Sequence, residues 1–519
     1  MALSIDTAAR HFQSGDLPEA AEACLTLLQD APDHVDALHL LGVVLVRLDK
    51  PADAVGFLTQ AIRLRPGDPG ILTNLGVAWV DLGLYAEALS ALLAAIQSGG
   101  TTADRLGMVG IALLRLHRPA DAEDLLRQVV AQAPNHQPSR YTLGQARAEM
   151  GLLAQAADCF RALLDDADHP LDPSRRTDTV AELGNVLLRL GQPEGALALI
   201  VDERRRNPDF MLDWNESLVL LLLGHYPEGW ARYEARWNET LHDPMPRGAA
   251  VLDPARVAGR DVLVLGEQGR GDIIQFARYA ALLAERGARV TLSVPDDLTA
   301  LLRTVPGVSQ VVGPLDTEPE ADFVTPVMSL PLAFGTALST IPAAVPYVSA
   351  SEVRVAAWRE RLGVSGLRRI GVVWAGSASS HARSAMPVGV LEPLLRRSEL
   401  ECHGLSKSIR GDDRAWLARN PLIRLHDAEL GDFADTAALV ACMDLVVTID
   451  TSVAHLAGAM GRPVWILLPF NPDFRWLTKR SSTPWYPTAR LFRQKQAGDW
   501  DSVVSEVLSA LALPPPAGL

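Results

Sequence analysis

Small residues recur at a fixed interval along the N-terminal part of the chain. Five alanines stand 34 residues apart, and four glycines keep the same interval at another phase (Ala20, Ala54, Ala88, Ala122 and Ala156; Gly42, Gly76, Gly110 and Gly144). A period of this length with small residues at fixed phases is typical of stacked helical hairpins, in which helices approach closely only where side chains are small. The first part of the chain is therefore predicted to be an α-helical solenoid.

The 34-residue interval is that of tetratricopeptide (TPR) repeats, which have two antiparallel helices each. Prolines at one fixed position of the repeat are predicted to end the second helix of a hairpin, because proline cannot continue a helix interior (Pro32, Pro66 and Pro134). We expect about seven hairpins in this array, the last of them packed against the next domain. Such arrays commonly bind peptides, and the alternative is a scaffold or an oligomerisation surface.

The interval changes once along the array. After Ala156 the next alanine at this phase is Ala196, and the extra residues lie in the polar stretch 165–178, DDADHPLDPSRRTD. Clusters of Asp, Ser and Pro between periodic segments predict a loop. We therefore expect a loop between two repeats over 165–178.

Composition excludes several classes of protein. A net charge of −14 argues against nucleic acid or an acidic membrane as the main partner. The N-terminus has no basic segment followed by a long apolar one, and the apolar run 218–223 is too short to span a bilayer, so a cytoplasmic protein is expected. The cysteines are far apart without CxxC spacing, which argues against a disulfide framework and a zinc site (Cys24, Cys159, Cys402 and Cys442).

After a proline-containing linker, the pattern changes to alternating strands and helices. A first βαβ unit is predicted from strand Asp261–Leu265, a glycine turn at 266–272, helix Ile273–Arg286 and strand Arg289–Val294. A second alternation begins at Arg369. Two successive doubly wound units place a ligand crevice at the carboxyl ends of their strands. The predicted strands of the second alternation are 370–376, Glu401–Leu405, Asp444–Ile449 and Val464–Leu468. Its predicted helices are Val388–Arg397, Asp412–Asn420, Asp432–Met443 and Val453–Met460.

The glycine turn does not match a dinucleotide-binding site. The GxGxxG pattern needs a glycine at position 274, where Ile274 stands, and the second strand ends at Val294-Pro295 without an acidic residue. A nicotinamide-dependent enzyme is therefore disfavoured. Asp272 stands at a predicted helix start, where it is either an N-cap or a general base that points into the crevice.

The segment from Asp450 to His455 opens a helix directly after a strand. Unpaired backbone N–H groups and the helix dipole make such an end suitable for an anion, although capping by Asp450 or Thr451 is the ordinary alternative. His455 is either a buried imidazole or a ligand contact. Two further loops follow strands at the same predicted edge, and their residues fit a phosphate group unless they are merely solvated (Ser377, Arg383, Lys407 and Arg410).

Long motifs in the second part resemble a bacterial family of TPR-linked glycosyltransferases. They are GEQGRGDIIQFARY (266–279), RIGVVWAGS (369–377), the stretch 432–470 that begins DFADTAALVACMDLVV, PDFRWL (472–477) and PWYPTARLFRQ (484–494). The catalytic part is similar to that of ADP-heptose heptosyltransferases and, more distantly, to that of TPR-bearing O-linked N-acetylglucosamine transferases. The resemblance implies an α + α/β protein in which a TPR α-solenoid precedes a GT-B-like pair of Rossmann-type domains.

The resemblance also divides the chain. It implies a TPR superhelix at 1–239, a linker at 240–258, an acceptor-side Rossmann-like half at 259–348, a hinge at 349–366 and a sugar-nucleotide-side half at 367–519. The first half is short for this fold, so the end of the TPR array is expected to complete the acceptor cleft.

Site residues follow from the matching motifs. The resemblance implies that Asp272 is the catalytic base, next to Gly269 and Gly271 of the glycine turn. It implies that Asp450, Thr451, Ser452 and His455 bind the nucleotide phosphates, with Lys407 as a further phosphate contact. Ser377 and Arg383 are predicted to bind phosphate from their position in the loop after a strand, although this loop matches the family poorly apart from its Arg-Ser pair. No cofactor and no metal are expected. The two D-x-D matches, Asp166/Asp168 and Asp499/Asp501, are interpreted as solvated acids.

The predicted function is transfer of a sugar from a nucleotide-sugar to a hydroxyl group of a protein held by the TPR array. Related architectures modify serine or threonine of flagellins, so flagellin is the first candidate acceptor. One alternative keeps the catalysis but uses a glycan or a lipid-linked saccharide as acceptor. Another is a non-catalytic TPR scaffold. Donors linked to UDP, GDP, ADP or CMP all remain open, as does the stereochemistry.

Overall fold

The computed structural model describes residues 4–237, 245–246, 248–314, 321–376 and 386–512. The chain divides into two compact units, Met1–Leu190 and Gly191–Leu519. The predicted order of a helical-repeat region followed by a parallel-sheet α/β region is confirmed. The predicted domain boundaries, including the one after residue 239, stay predictions. No helix among the described residues is both long enough and apolar enough to cross a membrane.

Unit 1 consists of helices that pack in consecutive pairs. The prolines predicted to end the second helices do follow helix ends, at Asp30, Leu64 and Gln132. The helices are α1 (Ile5–Ser14), α2 (Leu17–Asp30), α3 (Val35–Arg47), α4 (Pro51–Leu64), α5 (Pro69–Asp81), α6 (Tyr85–Gly99), α7 (Ala103–Arg115), α8 (Pro119–Gln132), α9 (Gln137–Glu149), α10 (Leu153–Leu164) and α11 (Pro173–Arg189).

The periodic glycines and alanines lie at the contact between the two helices of a hairpin. A Cβ atom built on Gly42 of α3 would lie 2.4 Å from Leu58 Cγ of α4. Leu58 is four residues after Ala54, on the same helix face, and Ala54 is fully buried. The small residues are therefore required by close helix packing. Equivalent contacts join Gly76 to Leu92, Gly110 to Leu126 and Gly144 to Phe160.

The predicted loop at 165–178 is wrong from residue 173 onward. Helix α11 begins at Pro173, and the Asp172 carboxylate accepts a hydrogen bond of 3.0 Å from the backbone N–H of Arg175. An aspartate at the N-cap followed by proline at the first helical position is a strong helix start. The extra residues of this repeat therefore lengthen its first helix as well as the connection before it.

Unit 2 opens with three more helices, α12 (Pro193–Arg206), α13 (Phe210–Leu223) and α14 (Tyr226–Tyr233). Helix α14 packs into the α/β region. Its Tyr226 hydroxyl accepts a hydrogen bond of 3.1 Å from Trp485 Nε1. Its Trp230 is buried with edge-to-face contacts of 5.7 Å to Phe276 and 5.9 Å to Phe474. The expectation that the last hairpin packs against the next domain is thus confirmed.

The first sheet has four parallel strands in the order β3-β2-β1-β4. Strand β1 has its predicted bounds and β2 ends one residue early, whereas the short β3 and β4 were not predicted. The strands are β1 (Asp261–Leu265), β2 (Arg289–Ser293), β3 (Val308–Val312) and β4 (Phe323–Pro326), and the helices are α15 (Arg270–Phe276), α16 (Arg278–Glu285), α17 (Asp296–Leu302) and α18 (Leu330–Ala333).

The helix predicted over 273–286 is divided at Ala277. The carbonyl oxygen of Ile274 accepts a hydrogen bond of 3.1 Å from the Tyr347 hydroxyl, and that of Gln275 accepts one of 2.8 Å from Arg278 Nε. These carbonyl groups would otherwise bond backbone N–H groups four residues later. Side-chain donors therefore replace part of the helical ladder at the break.

The second sheet has six parallel strands in the order β10-β9-β8-β5-β6-β7. This is the strand order of doubly wound folds, with a topological switch point between β5 and β8. Its strands are β5 (Arg368–Val373), β6 (Leu400–Gly404), β7 (Arg424–Leu425), β8 (Leu445–Ile449), β9 (Val464–Leu468) and β10 (Ala489–Arg493), and its helices are α19 (Glu352–Leu362), α20 (Glu392–Leu395), α21 (Gly411–Arg419), α22 (Phe433–Ala441), α23 (Ser452–Ala459) and α24 (Trp500–Leu511).

Three predicted segments differ in detail. The helix expected over 388–397 is a 3-10 turn followed by α20, because Pro393 has no N–H to donate to a preceding carbonyl group. The segment interpreted as a hinge, 349–366, contains α19. The predicted linker pairs with β4 near its middle, since the Ala250 N–H donates to Val324 O at 3.0 Å.

Candidate functional site

Two adjoining pockets in unit 2 lie at the carboxyl ends of the strands. The large pocket has a volume of about 640 Å³ and is bordered by the loops after β5, β6 and β8 and by the turn after β1. The small pocket has a volume of about 230 Å³. They share the residues Gly271, Asp450, Thr451 and Ser452. The switch point of the second sheet therefore opens into both pockets, as expected for a ligand site in such a fold.

Most of the predicted site residues line these pockets. Asp272 and His455 line the small pocket together with Asp473 and Arg475. Arg410 instead forms an ion pair with Asp413, with Nη2 2.8 Å from Oδ2. Ser377 and Arg383 lie outside the described residues. The predicted residues in the large pocket are Gly269, Gly271, Lys407, Asp450, Thr451 and Ser452.

The start of α23 faces the pockets with an uncapped first turn. Thr451 occupies the N-cap position in an extended conformation, but no side chain among the described residues caps the helix. The Thr451 hydroxyl lies 3.0 Å from the Thr448 hydroxyl instead. Ordinary capping by Asp450 or Thr451 is therefore not what this segment does. First-turn N–H groups and the helix dipole are available for an anion.

Asp272 lies at the third position of α15, where it closes the first turn. Its Oδ2 accepts a hydrogen bond of 2.8 Å from the backbone N–H of Gly269, the N-cap residue. Its Oδ1 accepts a hydrogen bond from Nη2 of Arg475. Burial raises the pKa of Asp272, and the Arg475 charge opposes this shift. The carboxyl group thus stabilises the helix start and also borders the small pocket.

Arg475 and Asp473 were missed by sequence reasoning. Arg475 is 8% exposed, its Nη1 lies 2.8 Å from Asp473 Oδ1, and its guanidinium lies 4.2 Å from the centre of the Phe474 ring. Although burial disfavours its charge, the Asp272 and Asp473 carboxylates raise the pKa of Arg475 further above its ordinary value. The available signal was the PDFRWL stretch, where an aspartate and an arginine follow the end of a strand.

Asp450 stands directly after β8, at the junction of the two pockets. Burial, together with the nearby negative charge of Asp473, raises the pKa of Asp450 to about 7. Its carboxyl group therefore exchanges its proton near neutral pH. Asp450, Asp272 and Asp473 place three carboxyl groups around the small pocket, with Arg475 as the cation among them.

His455 is a buried imidazole on the first turn of α23. Its ring stacks on Trp476 with 5.2 Å between ring centres, and Nδ1 lies 3.0 Å from the Tyr486 hydroxyl. Burial, and then the charges of Arg475 and Arg278, lower the pKa of His455 well below its ordinary value. The ring is therefore neutral at neutral pH, and it lines the small pocket without adding charge.

Lys407 is an exposed cation that lines the large pocket, in the loop after β6. Its Nζ donates a hydrogen bond of 2.6 Å to the carbonyl oxygen of Gly431. Because Gly431 also lines the large pocket, the ammonium group is held at its border. The group can donate to a ligand oxygen there.

The first aspartate of each D-x-D match has a structural partner. Asp166 Oδ2 accepts a hydrogen bond of 2.9 Å from Arg140 Nη1, and Asp499 accepts one of 3.1 Å from the N–H of Ser502 at the start of α24. Within the part of the chain that the structure describes, no group of three or more His, Cys, Asp or Glu residues is placed to hold a metal ion.

Comparison with protein families matches both parts of the chain. Tetratricopeptide repeat models match residues 6–69, 41–103 and 113–175. The model of glycosyltransferase family 9 (heptosyltransferase) matches residues 431–469. The latter segment contains α22, β8, α23 and β9. It therefore includes the lining residues of the large pocket between Gly431 and Thr436 and the turn from Asp450 to His455.

Individual relatives extend the comparison. Protein FlbA of Caulobacter vibrioides is 24% identical over 95% of this chain and 80% of its own length. Cellulose synthase operon protein C of Pseudomonas fluorescens is 30% identical over 36% of this chain, which is 12% of its own length. A solved tetratricopeptide repeat protein from Parabacteroides merdae is 17% identical, with a TM-score of 0.39 over 46% of this chain and 92% of that one. The N-terminal part of the chain thus matches tetratricopeptide repeats, and its α/β part carries a segment similar to glycosyltransferase family 9 (heptosyltransferase).

Proposed function

We propose that the protein transfers a sugar from a nucleotide-sugar to a hydroxyl group of a protein acceptor. The observation that carries the proposal is the position of Asp272 beside the uncapped start of α23, which lies in the family 9 segment. A base and an anion site then border adjoining pockets. The two parallel sheets and the pockets at their strand ends favour a GT-B arrangement.

The large pocket is the proposed site of the nucleotide diphosphate. The first-turn N–H groups of α23 and the Lys407 ammonium group would bind the phosphate oxygens. These groups have a fixed position before the reaction, so they favour the leaving diphosphate as its negative charge grows. The small pocket would then hold the sugar carbon and the acceptor hydroxyl near Asp272.

The proposed step is a displacement at the anomeric carbon. The Asp272 carboxylate accepts the proton of the acceptor hydroxyl, whose oxygen forms the new bond to the anomeric carbon. The bond from that carbon to the phosphate oxygen breaks, and its electron pair leaves with the nucleoside diphosphate. The Asp272 carboxyl group holds the proton at the end of the step.

The proposed acceptor is a serine or threonine of a polypeptide, with flagellin as the first candidate. TPR arrays commonly bind extended peptides. Unit 1 has a pocket of about 210 Å³ whose lining includes Ile111, Tyr141, Leu163 and Leu171. These apolar side chains suit side chains of a bound peptide.

The test begins with a panel of UDP-, GDP-, ADP- and CMP-linked sugars, measured by calorimetry with the full chain. With the donor that binds, product formation on purified flagellin is followed by mass spectrometry. Asp272→Asn should bind the donor with unchanged affinity but lose transfer by roughly 10²–10⁴-fold, the range typical of a general base. Asp121→Asn, an exposed residue of unit 1 paired with Arg118, is the matched control and should transfer normally.

Two outcomes would contradict the proposal. Transfer by Asp272→Asn near the wild-type rate would remove the base assignment. Absence of binding by every nucleotide-sugar in the panel would favour the alternative of a non-catalytic TPR scaffold.

A separate experiment distinguishes the acceptor classes. Ile111→Ser combined with Leu171→Ser changes the pocket of unit 1 and should lower transfer to flagellin, whereas transfer to a small saccharide acceptor stays unchanged. The control pair is Leu25→Ser with Leu84→Ser, two exposed leucines that do not line this pocket. Equal transfer to flagellin by both double variants would favour a glycan or lipid-linked acceptor.

A further inference from the structure

The ion pair between Asp272 and Arg475 joins two distant parts of the chain inside the small pocket. Arg475 Nη2 donates to Asp272 Oδ1, while Asp272 Oδ2 accepts the Gly269 N–H at 2.8 Å. Each carboxylate oxygen therefore has its own donor. One donor is the backbone of the turn before α15 and the other is a side chain from a distant segment. Together they fix both the position of the carboxyl group and its rotation about the Cβ–Cγ bond.

Arg475 itself is held rigidly. Its Nη1 and its backbone N–H donate to the same oxygen, Asp473 Oδ1, at 2.8 and 2.9 Å. The guanidinium lies 4.2 Å from the centre of the Phe474 ring and 5.9 Å from that of Phe276. Aromatic faces attract a guanidinium and limit its orientations. A lysine at this position could not make the same pair of planar contacts.

We propose that Arg475 is a positioning residue that fixes the orientation and the charge of the Asp272 carboxylate, and that Asp473 moderates this effect by sharing the guanidinium. The proposal deepens the proposed function and rests on the role of Asp272 as the base. A base must be ionised when the acceptor arrives, yet a carboxylate bound too tightly to a cation is a poor proton acceptor. Because Asp473 shares the Arg475 guanidinium, Asp272 stays ionised but is held less tightly, so it can still accept a proton.

The charged and titratable groups around Asp272 define the expected pH effects. Arg475 favours its ionised form, and Asp473 and Asp450 disfavour it. Tyr233 of α14 also interacts with Asp272, and His455 of α23 lines the same pocket as a neutral ring. Removing the arginine should therefore raise the pKa of Asp272, whereas removing the charge of Asp473 should lower it.

The first experiment needs no substrate. The full-length chain is labelled with ¹³Cγ-aspartate, and the Asp272 signal is identified as the one absent from Asp272→Asn. Arg475→Gln should raise the titration midpoint of this signal by about one pH unit or more, as expected on loss of an adjacent opposite charge. Asp473→Asn should lower the midpoint, and Arg475→Lys should stay closer to the wild type than Arg475→Gln does.

Opposite shifts from two neighbouring substitutions would not arise from a merely structural role. Unchanged midpoints, or shifts in the same direction, would overturn the proposal. If Arg475→Gln does not fold, as judged by circular dichroism, the downward shift expected for Asp473→Asn still decides the sign.

The kinetic experiment uses the donor and acceptor found in the screen. Arg475→Gln should lower kcat at least about tenfold with donor affinity unchanged, and the acidic limb of its pH–rate profile should move to higher pH. Repeating the profiles in an Asp450→Asn background keeps the titration of Asp450 from contributing. An inactive Asp272→Asn with unshifted Arg475 and Asp473 variants would refute this proposal alone. A fully active Asp272→Asn would refute the base assignment instead.

Discussion

Gly271 and His455 are in direct contact where the first turns of α15 and α23 meet. A Cβ atom on Gly271 would lie 2.8 Å from His455 Cδ2 and 3.3 Å from Ser452 Cα. Only a glycine lets the turn that carries Asp272 approach the turn that carries the anion site. This contact sets the separation between the proposed base and the proposed phosphate site.

Gly271→Ala should therefore damage both folding and function. The new methyl group must displace the His455 ring or the helix, which typically costs about 1–3 kcal/mol in the free energy of unfolding. We expect weaker donor binding as well, because the start of α23 is shifted. Denaturant unfolding and calorimetry measure the two effects. The control is Gly195→Ala in α12, where a Cβ meets no atom within 4 Å, and which should be neutral or stabilising.

A second prediction concerns the effect of the repeat glycines on the free energy of unfolding. A Cβ atom on Gly76 would lie 2.7 Å from Leu92 Cγ, so Gly76→Ala should lower the free energy of unfolding by about 1–3 kcal/mol. Leu92→Ala should cost about 2–5 kcal/mol because it leaves a cavity. In the double variant the new methyl group occupies part of that cavity, so the combined loss should be smaller than the sum. Strict additivity would contradict the close contact.

Asp450 predicts a specific pH dependence of stability. Burial raises the pKa of this carboxyl group from 3.8 to about 7 in the folded chain. Between these values the folded state holds a proton that the unfolded chain releases, so the contribution to stability is lost as pH rises through 7. From pH 5 to pH 8 the wild type should lose about 3 kcal/mol relative to Asp450→Asn, because the loss accumulates over the two pH units below the folded-state pKa of about 7 at 1.36 kcal/mol per unit.

The control for Asp450 is Asp432→Asn. Burial raises the pKa of Asp432, but hydrogen bonds from Arg354 and backbone N–H groups outweigh it and lower the pKa below its ordinary value. Its stabilising contribution is therefore complete at pH 5 and above. Asp432→Asn should lower the free energy of unfolding equally at pH 5 and pH 8. Parallel pH profiles for the wild type and Asp450→Asn would show that Asp450 titrates normally.

Lys407 tests the phosphate site directly. Lys407→Ala removes a cation from the border of the large pocket and should weaken binding of UDP, GDP, ADP or CMP, whichever binds, by about tenfold. The wild-type affinity should also fall more steeply with salt concentration than that of the variant. Lys495→Ala, an exposed lysine paired with Glu506, serves as the control. Equal affinities of the two variants in calorimetry would remove Lys407 from the site.

Local patterns were sufficient for much of the fold. Strands β1 and β9 have their predicted bounds because continuous apolar residues between turn signals define buried parallel strands. Two predicted helices, 273–286 and 388–397, are shorter in the structure than their local patterns indicate. Tyr347 and Arg278 interrupt the helix after Asp272, and Pro393 limits a helix to a short turn. These effects depend on side chains from other elements or on one missing N–H group.

The part of the candidate site that follows directly after strands was predictable from local patterns. Asp272 and the turn at 450–455 each follow a strand, and the carboxyl ends of parallel strands meet at one edge. Arg475 lies 203 residues from Asp272 in sequence and comes from an irregular segment after β9. No periodicity marks such a residue, so only the folded chain shows that it pairs with Asp272.

The sequence by itself determined the helical repeat, the alternation of strands and helices, and the helix that opens directly after the turn at Asp450. Periodic small and apolar residues specify local structure because each acts on neighbours a few residues away. The tertiary structure decided that α12–α14 belong to the same unit as the α/β region, and that Arg475 holds Asp272. Both depend on distant segments becoming buried together, where an ion pair and aromatic packing replace contacts with water.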